Sequence, residues 1–166
     1  METDKKIGFI GQGWIGKHYA DELEGRGLSV VRYSKEPQYE GNKDAIADCD
    51  IVLIAVPTPT TPEGFDDSII RSVLPLVGKG KIAVLKSTIV PGTTVQLQEL
   101  FPDIVLLYSP EFLSEATAQH DTAHPFASIV GMSQETDLHR KSAEEVLSLL
   151  PKAPFSLVCK STEAEI

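Results

Sequence analysis

Short apolar segments alternate with segments of helical hydrophobic spacing along the chain. An apolar position every three or four residues predicts a helix, and a short apolar run bounded by turn formers predicts a strand. On these rules we predict strands at residues 7–10, 29–33, 51–56, 82–85, 104–108, 127–130 and 155–159. Helices are predicted at residues 14–23, 43–47, 67–77, 93–101 and 135–150.

The run at residues 51–56 is apolar throughout, which is typical of a strand buried on both faces of a parallel sheet. Strands that alternate with helices at this spacing indicate βαβ units. We therefore predict an α/β fold with a doubly wound, mainly parallel sheet. It forms a single three-layer domain over residues 1–160, which is an ordinary domain length.

The chain of 166 residues carries 15 Lys and Arg against 24 Asp and Glu, a formal net charge of −9. This balance argues against nucleic acid as a partner, because nucleic-acid binders present basic faces to the phosphates. No apolar stretch approaches the roughly 20 residues that span a bilayer, and the amino-terminal segment does not resemble a secretory signal. The sequence has two cysteines, which fits a reducing compartment. We therefore expect a cytoplasmic domain without a membrane partner.

A glycine-rich pattern, G-x-G-x-x-G, follows the first predicted strand and opens the first predicted helix. In this context it is the fingerprint of a Rossmann-type dinucleotide-binding fold: the first glycine permits a tight turn, the second admits a pyrophosphate and the third lets helix and strand pack closely. The helix N-terminus then offers free N–H groups to the phosphates. The alternative is a tight turn without a ligand. The predicted cofactor-binding residues here are Gly11, Gln12, Gly13, Trp14, Ile15 and Gly16.

The form of the dinucleotide depends on the end of the second predicted strand. An NAD site has Asp or Glu about 20 residues after the glycine loop, where this chain has Ser34. A serine between Arg32 and Lys35 could accommodate the 2′-phosphate of NADP, and Glu36 could replace the missing acid. Arg32 and Lys35 could equally be solvated surface charges. We therefore predict NAD as the cofactor, with NADP as the alternative, and include Ser34 and Lys35 in the site.

Three loops expected at the carboxyl ends of strands are rich in hydroxyl and proline residues, at residues 56–62, 86–94 and 109–116. Ligands of a doubly wound sheet bind beyond these strand ends, where hydroxyl groups can hydrogen-bond a ribose, a nicotinamide or a substrate. Glu111 and Glu115 add carboxylates that could act as general bases. Because Ser, Thr and Pro are common turn formers, each loop by itself also has a purely structural explanation.

In this order behind the glycine loop, the three loops resemble the N-terminal NAD-binding domain of the UDP-glucose/GDP-mannose dehydrogenase family. The most specific segments are residues 86–88 with 91–94, and residues 110–113 with Glu115. Enzymes of that family oxidise the primary alcohol of a nucleotide sugar to a carboxylate in two hydride transfers to NAD, with a cysteine that captures the aldehyde. The resemblance covers nearly the whole chain.

The resemblance implies roles for individual residues. Thr88 would help place the hydrolytic water, and Glu111 would be its general base. The residues that border the cofactor would be Val56, Pro57, Thr58, Thr60, Ser87, Thr88 and Glu115. The residues at the meeting point of sugar and nicotinamide would be Glu111, Phe112, Leu113 and Glu115.

Two positions depart from the family pattern. Ser34 stands where the family usually has an acidic residue, and residues 124–127 lack the arginine that usually follows the site loop. These departures leave open a stand-alone dinucleotide-binding or regulatory module without catalysis. Another dehydrogenase of the β-hydroxyacid type with the same fold is a third alternative.

Residues 161–166 carry a capping-box pattern in Thr162 and Glu165, which predicts the start of a helix. In the family a linking helix begins here and leads to a second domain, which binds the nucleotide sugar and carries the catalytic cysteine. By resemblance we expect this chain to lack that domain and to be inactive by itself. The nucleotide sugar would then bind to a full-length enzyme that is a homodimer or a larger assembly.

Two further candidates receive structural interpretations. Cys159 closes an apolar predicted strand, so we expect a buried structural thiol rather than a nucleophile. His120 and His124 have the spacing of two metal ligands on one helix face, but Pro125 and the surrounding loop residues predict no helix there. We therefore predict no metal site.

Overall fold

The computed structural model describes residues 4–166 and contains a sheet of seven strands and a separate two-stranded hairpin. Residues 1–3, part of the segment that we interpret as unlike a secretory signal, lie outside the described residues. The strands are β1 (Ile7–Ile10), β2 (Val30–Tyr33), β3 (Ile51–Ile54), β4 (Thr60–Thr61), β5 (Gly64–Phe65), β6 (Ile82–Leu85), β7 (Val105–Tyr108), β8 (Ala127–Met132) and β9 (Phe155–Lys160). The helices are α1 (Trp14–Gly25), α2 (Pro37–Glu40), α3 (Ser68–Val73), α4 (Thr93–Leu100), α5 (Ala118–Ala123), α6 (Asp137–Leu149) and α7 (Ser161–Ala164), with 3-10 turns at Lys43–Asp48 and Leu74–Leu76.

The strand order of the large sheet is β2-β1-β3-β6-β7-β8-β9. Neighbouring strands run parallel, except that β7 and β8 are antiparallel. The predicted doubly wound, mainly parallel α/β fold is therefore confirmed. Because β2 and β3 lie on opposite sides of β1, the strand order reverses at β1 and leaves a crevice beyond the carboxyl ends of β1 and β3.

The core lies on both faces of the sheet, because every residue of β1, β3, β6 and β7 is buried. Alternate residues of these strands point to opposite faces. On one face Phe9 and Leu107 pack with Tyr19 of α1 and Val146 of α6. On the other face the strands pack with side chains of α3 and α4, among them Leu97. The result is the predicted three-layer arrangement.

Most predicted elements end within two residues of the observed ones, and two of the differences have clear local causes. The predicted strand at residues 51–56 ends at Ile54, because the N–H of Val56 is bonded to a side chain, Ser87, rather than to a neighbouring strand. The predicted helix at residues 67–77 ends at Val73 and tightens into a 3-10 turn that contains Pro75. Proline lacks the N–H that an α-helix would need at this position.

The sequence patterns did not predict three elements of the structure, namely α2, the β4–β5 hairpin and α5. The expectation that no helix forms around His120 and His124 is wrong, since α5 includes His120 and ends at Ala123, before Pro125 restricts the chain. The rings of His120 and His124 stack at 4.9 Å between centroids. Within residues 4–166, no three or more His, Cys, Asp or Glu side chains form a group that could hold a metal ion.

The carboxyl-terminal segment forms the predicted helix start, α7, but with a different cap. The N–H of Lys160 donates to the carboxylate of Glu163 at 3.0 Å, so the predicted pairing of Thr162 with Glu165 is wrong. Glu165 points inward instead and is 8% exposed. Gly131 of β8 permits this packing, because a Cβ there would lie 2.7 Å from the Cα of Ser161.

Strand β9 is more exposed than its apolar sequence predicts. Cys159 is half-buried in the edge strand β9 rather than fully buried, and burial still raises the pKa of its thiol. Phe155 and Leu157 of the same strand are exposed, although the strand was predicted from its apolar character. In the part of the chain that the structure describes, no helix has the length and apolar character needed to cross a membrane.

Candidate functional site

A cleft of about 820 Å³ opens beyond the carboxyl ends of β1 and β3. Its size is within the usual range for cofactor sites, roughly 300–1,000 Å³. Its walls come from the glycine loop, the end of β2, the loops after β3 and β6, and one face of α3. The lining residues are Ile10, Gly11, Gln12, Gly13, Trp14, Ile15, Gly16, Tyr33, Ser34, Lys35, Glu36, Pro37, Ala55, Val56, Pro57, Thr58, Ile69, Ser72, Val73, Ser87 and Thr88.

The three glycines of the loop have different surroundings. Gly11 has a φ of 92°, and a Cβ there would lie 2.1 Å from the carbonyl oxygen of Ala55. A Cβ on Gly16 would lie 2.0 Å from the carbonyl oxygen of Gly11. Gly13 has no heavy atom within 4 Å of a Cβ position. The fold therefore requires glycine at the first and third positions, whereas at Gly13 the absent side chain leaves open space that a ligand can approach.

Helix α1 presents its N-terminus to this open space. Its N-cap residue is Gly13, and neither a capping side chain nor an acidic residue satisfies the first turn. The first N–H groups of a helix have no partner within the helix, and the helix dipole adds positive charge at this end. Backbone N–H groups at such a helix end bind phosphate groups.

The loops after β3 and β6 are tied together by side-chain hydrogen bonds. The hydroxyl of Ser87 donates to the carbonyl oxygen of Val56 at 2.7 Å and accepts from the N–H of Val56 at 3.0 Å. The hydroxyl of Thr58 donates to the carbonyl oxygen of Thr88 at 2.5 Å. Ser87 and Thr58 therefore shape the wall of the cleft, while the exposed Thr88 side chain keeps its hydroxyl available.

The predicted adenosine end of the cleft contains Ser34, Lys35 and Glu36. The Ser34 hydroxyl accepts a hydrogen bond from the N–H of Glu36 at 3.2 Å. Arg32 does not line the cleft, and its side chain is 11% exposed. The alternative that Arg32 is a solvated surface charge is therefore wrong.

A second, smaller cavity of about 200 Å³ lies under the loop that follows β7. Glu111, Phe112 and Leu113 line it together with Lys86 from the end of β6 and Tyr19 of α1. The ammonium of Lys86 lies 3.4 Å from Oε2 of Glu111 and 4.4 Å from the centre of the Tyr19 ring. The other carboxylate oxygen of Glu111 accepts from the N–H of Phe112 at 2.9 Å.

Burial dominates the electrostatics of this cavity. It lowers the pKa of Lys86, although the neighbouring Glu111 acts in the opposite direction. It also raises the pKa of Tyr19, an effect that the charge of Glu111 reinforces, so the phenol stays protonated. The Oε2 atom of Glu111 is buried and has no hydrogen-bond partner within the described part of the chain. A carboxylate oxygen in this state can accept a proton from a ligand or a water molecule.

The structure brings most, but not all, of the predicted site residues together. Every predicted cofactor-binding residue lines the large cleft except Thr60, which lies in the hairpin strand β4, and Glu115. Glu115 borders a third, open pocket with His18 and His120, apart from Glu111. Thr88 lines the large cleft and Glu111 the small cavity, so the two predicted catalytic residues do not share one cavity in this chain.

The sequence interpretation missed the contributions of Tyr19 and Lys86 to the small cavity. Tyr19 occupies a core position of α1 and carries no signal that separates it from other apolar contacts. Lys86 did carry a signal, because it follows β6 by one residue and shares a face with Val84, which is fully buried. A cation at a buried strand position requires a counter-charge nearby.

Comparisons with known proteins agree with this geometry. A sequence model of the UDP-glucose/GDP-mannose dehydrogenase family, NAD binding domain, matches residues 34–149. The YtcA protein of Bacillus subtilis strain 168, provisionally named a UDP-glucose 6-dehydrogenase, is 30% identical over 146 residues, or 80% of this chain and 34% of that protein. The UDP-glucose 6-dehydrogenase AglM of Haloferax volcanii is 29% identical over 143 residues, or 74% of this chain and 33% of that protein. The chain spans about a third of the length of these curated relatives.

A similar fold occurs in a UDP-glucose dehydrogenase from the hyperthermophilic archaeon Pyrobaculum islandicum. The TM-score is 0.81 at 23% sequence identity, with 97% of this chain and 47% of that chain covered. The segment that matches the family model begins after the glycine loop, so the assignment of that loop rests on its own geometry. Because the family model matches most of its length, the chain belongs to the UDP-glucose/GDP-mannose dehydrogenase family, whose NAD binding domain it contains.

Proposed function

We propose that this chain is the cofactor-binding part of an enzyme that oxidises the primary alcohol of a nucleotide sugar to a carboxylate in two successive hydride transfers. The observation that carries the proposal is the N-terminus of α1, which has no capping side chain and opens at Gly13 into a cleft of about 820 Å³. A dinucleotide fits this donor set, because its pyrophosphate needs backbone N–H groups and close approach to a residue without a side chain.

The cleft walls divide the site between the ends of the dinucleotide. Gly13 and the first turn of α1 hold the pyrophosphate, and Ser34, Lys35 and Glu36 border the adenosine. The paired loops of Val56 and Ser87 border the nicotinamide, where their mutual hydrogen bonds keep the wall rigid. When bound, NAD supplies the hydride acceptor.

By the family resemblance, Glu111 is proposed as the general base and Thr88, which lines the large cleft rather than the small cavity, as a residue that orients the attacking water. The Oε2 atom of Glu111 is buried, lacks a hydrogen-bond partner within residues 4–166 and borders the small cavity. The Lys86 ammonium lies 3.4 Å from this oxygen and supplies a positive charge beside it. Phe112 and Leu113 provide apolar walls around the reacting groups.

The cysteine that captures the aldehyde is proposed to come from outside this chain. Cys49 is fully buried, Cys159 is half-buried, and burial raises the pKa of both thiols. Neither residue lines the large cleft or the small cavity. Because a nucleophilic cysteine needs an exposed thiolate, we expect this chain alone to bind NAD(H) without completing turnover, and the nucleotide sugar to require a second domain in a homodimer or a larger assembly.

Two measurements test the proposal. Isothermal titration calorimetry with NADH should show one saturable site, and failure to bind NADH or NADPH at millimolar concentration would contradict it. Spectrophotometric assay with NAD and UDP-glucose should show no NADH production by this chain alone. Steady NADH production would contradict the part of the proposal that places the nucleophile elsewhere.

A binding or regulatory module without catalysis is the second candidate. It is favoured by residues 124–127, where the exposed Phe126 and its neighbours offer no arginine next to the small cavity. Sequencing the gene past the codon of Ile166 separates the two candidates. A continuing frame that encodes a domain with a nucleophilic cysteine supports the enzyme, whereas a stop codon supports the module.

A further inference from the structure

The guanidinium of Arg32 is held by two carboxylates of helix α1. Its Nη2 atom donates to Asp21 at 2.7 Å and to Glu24 at 2.6 Å, and its Nε atom donates to Glu24 at 3.2 Å. Asp21 and Glu24 are three residues apart and therefore share one face of the helix. Although burial acts in the opposite direction, these hydrogen bonds raise the pKa of Arg32 above its usual value.

Arg32 also reaches the glycine loop. Its Nη1 atom donates to Oε1 of Gln12 at 3.3 Å, and Nε2 of Gln12 donates to the carbonyl oxygen of Gly11 at 2.9 Å. Gln12 is 6% exposed and lines the large cleft, whereas Arg32 lies behind it. A continuous chain of hydrogen bonds thus joins the α1 carboxylates, through Arg32, to the loop that faces the pyrophosphate.

The charged groups around Arg32 carry a net negative charge. Asp21 and Glu24 provide two carboxylates against one guanidinium, and none of these three residues lines the cleft. Lys35 and Glu36, which line the cleft, oppose each other. A net negative charge around Arg32 disfavours a 2′-phosphate at the end of β2, because a phosphate monoester carries about 1.5 to 2 negative charges at neutral pH.

We propose that Asp21 and Glu24 make this chain select NAD over NADP, by neutralising Arg32 and holding it against Gln12 behind the wall of the cleft. The inference rests on the proposed dinucleotide site and adds the residues that determine its specificity. An NAD site usually has an acidic residue at the end of β2, where this chain has Ser34. In this proposal, the carboxylates of helix α1 supply the negative charge instead. Arg32 is in this view a positioning residue for the glycine loop and not a phosphate ligand.

The experiment compares the dissociation constants of NADH and NADPH for the whole chain and its variants. Wild type should bind NADH more tightly. Glu24→Gln should shift the ratio toward NADPH by about fivefold, and Asp21→Asn with Glu24→Gln by more, since each change removes one repulsive charge. Arg32→Met should weaken the binding of both cofactors, because the Oε1 atom of Gln12 loses the hydrogen bond that Arg32 donates to it.

Glu22→Gln is the matched control. Glu22 lies on the same helix, pairs with Arg26 at 2.6 Å and makes no contact with Arg32. It should leave the ratio unchanged. The inference would be overturned if the ratio of the NADPH and NADH dissociation constants were the same in wild type, in Glu22→Gln and in the Asp21→Asn/Glu24→Gln variant. It would also be overturned if wild type bound NADPH as tightly as NADH. If wild type bound neither cofactor, the result would instead contradict the proposed dinucleotide site itself.

A second measurement does not depend on the folding of any variant. Repulsion between exposed charges is screened by salt, with a Debye length of about 10 Å at 0.1 M and about 3 Å at 1 M. The preference of wild type for NADH should therefore narrow as salt is raised over that range. A preference that is constant or grows with salt would contradict an electrostatic origin.

Discussion

The ammonium of Lys86 lies 3.4 Å from Oε2 of Glu111, and the two side chains are 2% and 10% exposed. The carbonyl and hydroxyl oxygens of Ser109 lie at 3.5 and 3.4 Å on another side of the same ammonium. Since water reaches neither charge freely, each is the principal counter-charge of the other. The pair joins the end of β6 to the end of β7 directly beneath the proposed catalytic loop.

Lys86→Met should lower the free energy of unfolding by about 3–5 kcal/mol, because it leaves the Glu111 carboxylate buried without its counter-charge. Glu111→Gln should also destabilise the protein. The double variant should lose less unfolding free energy than the sum of the losses in the two single variants. The difference, measured by urea unfolding, should be at least about 1 kcal/mol. Lys81→Met is the control, since Lys81 pairs with Asp50 at 2.9 Å but is 34% exposed. Additive losses would show that the pair is not coupled.

Gly13→Ala should retain the stability of wild type but weaken NADH binding by at least about tenfold, because the added methyl group meets open space in the protein and occupies the approach of the pyrophosphate. Gly16→Ala should destabilise the protein in the absence of any ligand, since its Cβ would lie 2.0 Å from a backbone oxygen. Calorimetry and thermal unfolding measure the two effects separately. Unchanged NADH affinity in Gly13→Ala would contradict the proposed cofactor position.

Glu165→Gln should lower the free energy of unfolding by about 1–3 kcal/mol. The Glu165 carboxylate accepts from the N–H of Gly92 at 2.5 Å, from the N–H of Thr94 at 2.9 Å and from the Thr94 hydroxyl. It caps α4, whose own N-cap residue is a glycine. An amide would turn one acceptor into a donor that faces these donors.

Glu163→Gln is the control for this change, because the Glu163 carboxylate caps α7 at an exposed position. The Glu163→Gln variant should lose less than about 1 kcal/mol of unfolding free energy. Urea unfolding of both variants checks the order of the two effects. A larger loss in Glu163→Gln than in Glu165→Gln would show that the buried carboxylate does not stabilise α4.

His139→Gln should remove an acid-sensitive component of stability. Nε2 of His139 lies 2.8 Å from Oε1 of Gln98, which can only accept, so the neutral ring donates there and Nδ1 accepts from the Thr136 hydroxyl at 2.8 Å. Burial lowers the pKa of His139 below its ordinary value of about 6.5. Below pH 6.5 the unfolded chain therefore binds more protons than the folded one, and stability falls as the pH falls.

Free energies of unfolding measured between about pH 5 and pH 8 check this expectation, since these values bracket the ordinary histidine pKa. The rise in the free energy of unfolding with pH should be smaller in His139→Gln than in wild type. Above that pKa, His139 should no longer contribute to the pH dependence of stability. His120→Gln, at a side chain that is 75% exposed, is the control. An identical pH dependence in wild type and His139→Gln would contradict the neutral buried ring.

The sequence predicted the sheet and the glycine loop well, because both depend on local rules. Uniformly apolar runs can be buried only between two layers, and the steric demands of Gly11 and Gly16 arise within one strand-to-helix turn. The same local rules failed at the carboxyl terminus. Glu165 has the spacing of a capping box, but buried donors at Gly92 and Thr94, some seventy positions away in sequence, bind it instead.

By itself the sequence determined the α/β class, the position of the glycine loop and the residue types that surround it, since hydrophobic period and glycine sterics are properties of neighbouring residues. Only the tertiary structure decided which charges meet. Arg32 turned toward the carboxylates of α1 rather than toward the cleft, and Lys86 was buried against Glu111. The physical reason is that a charge entering a region of low dielectric must find its partner in space, and the crossing of helices and strands determines which partner is near.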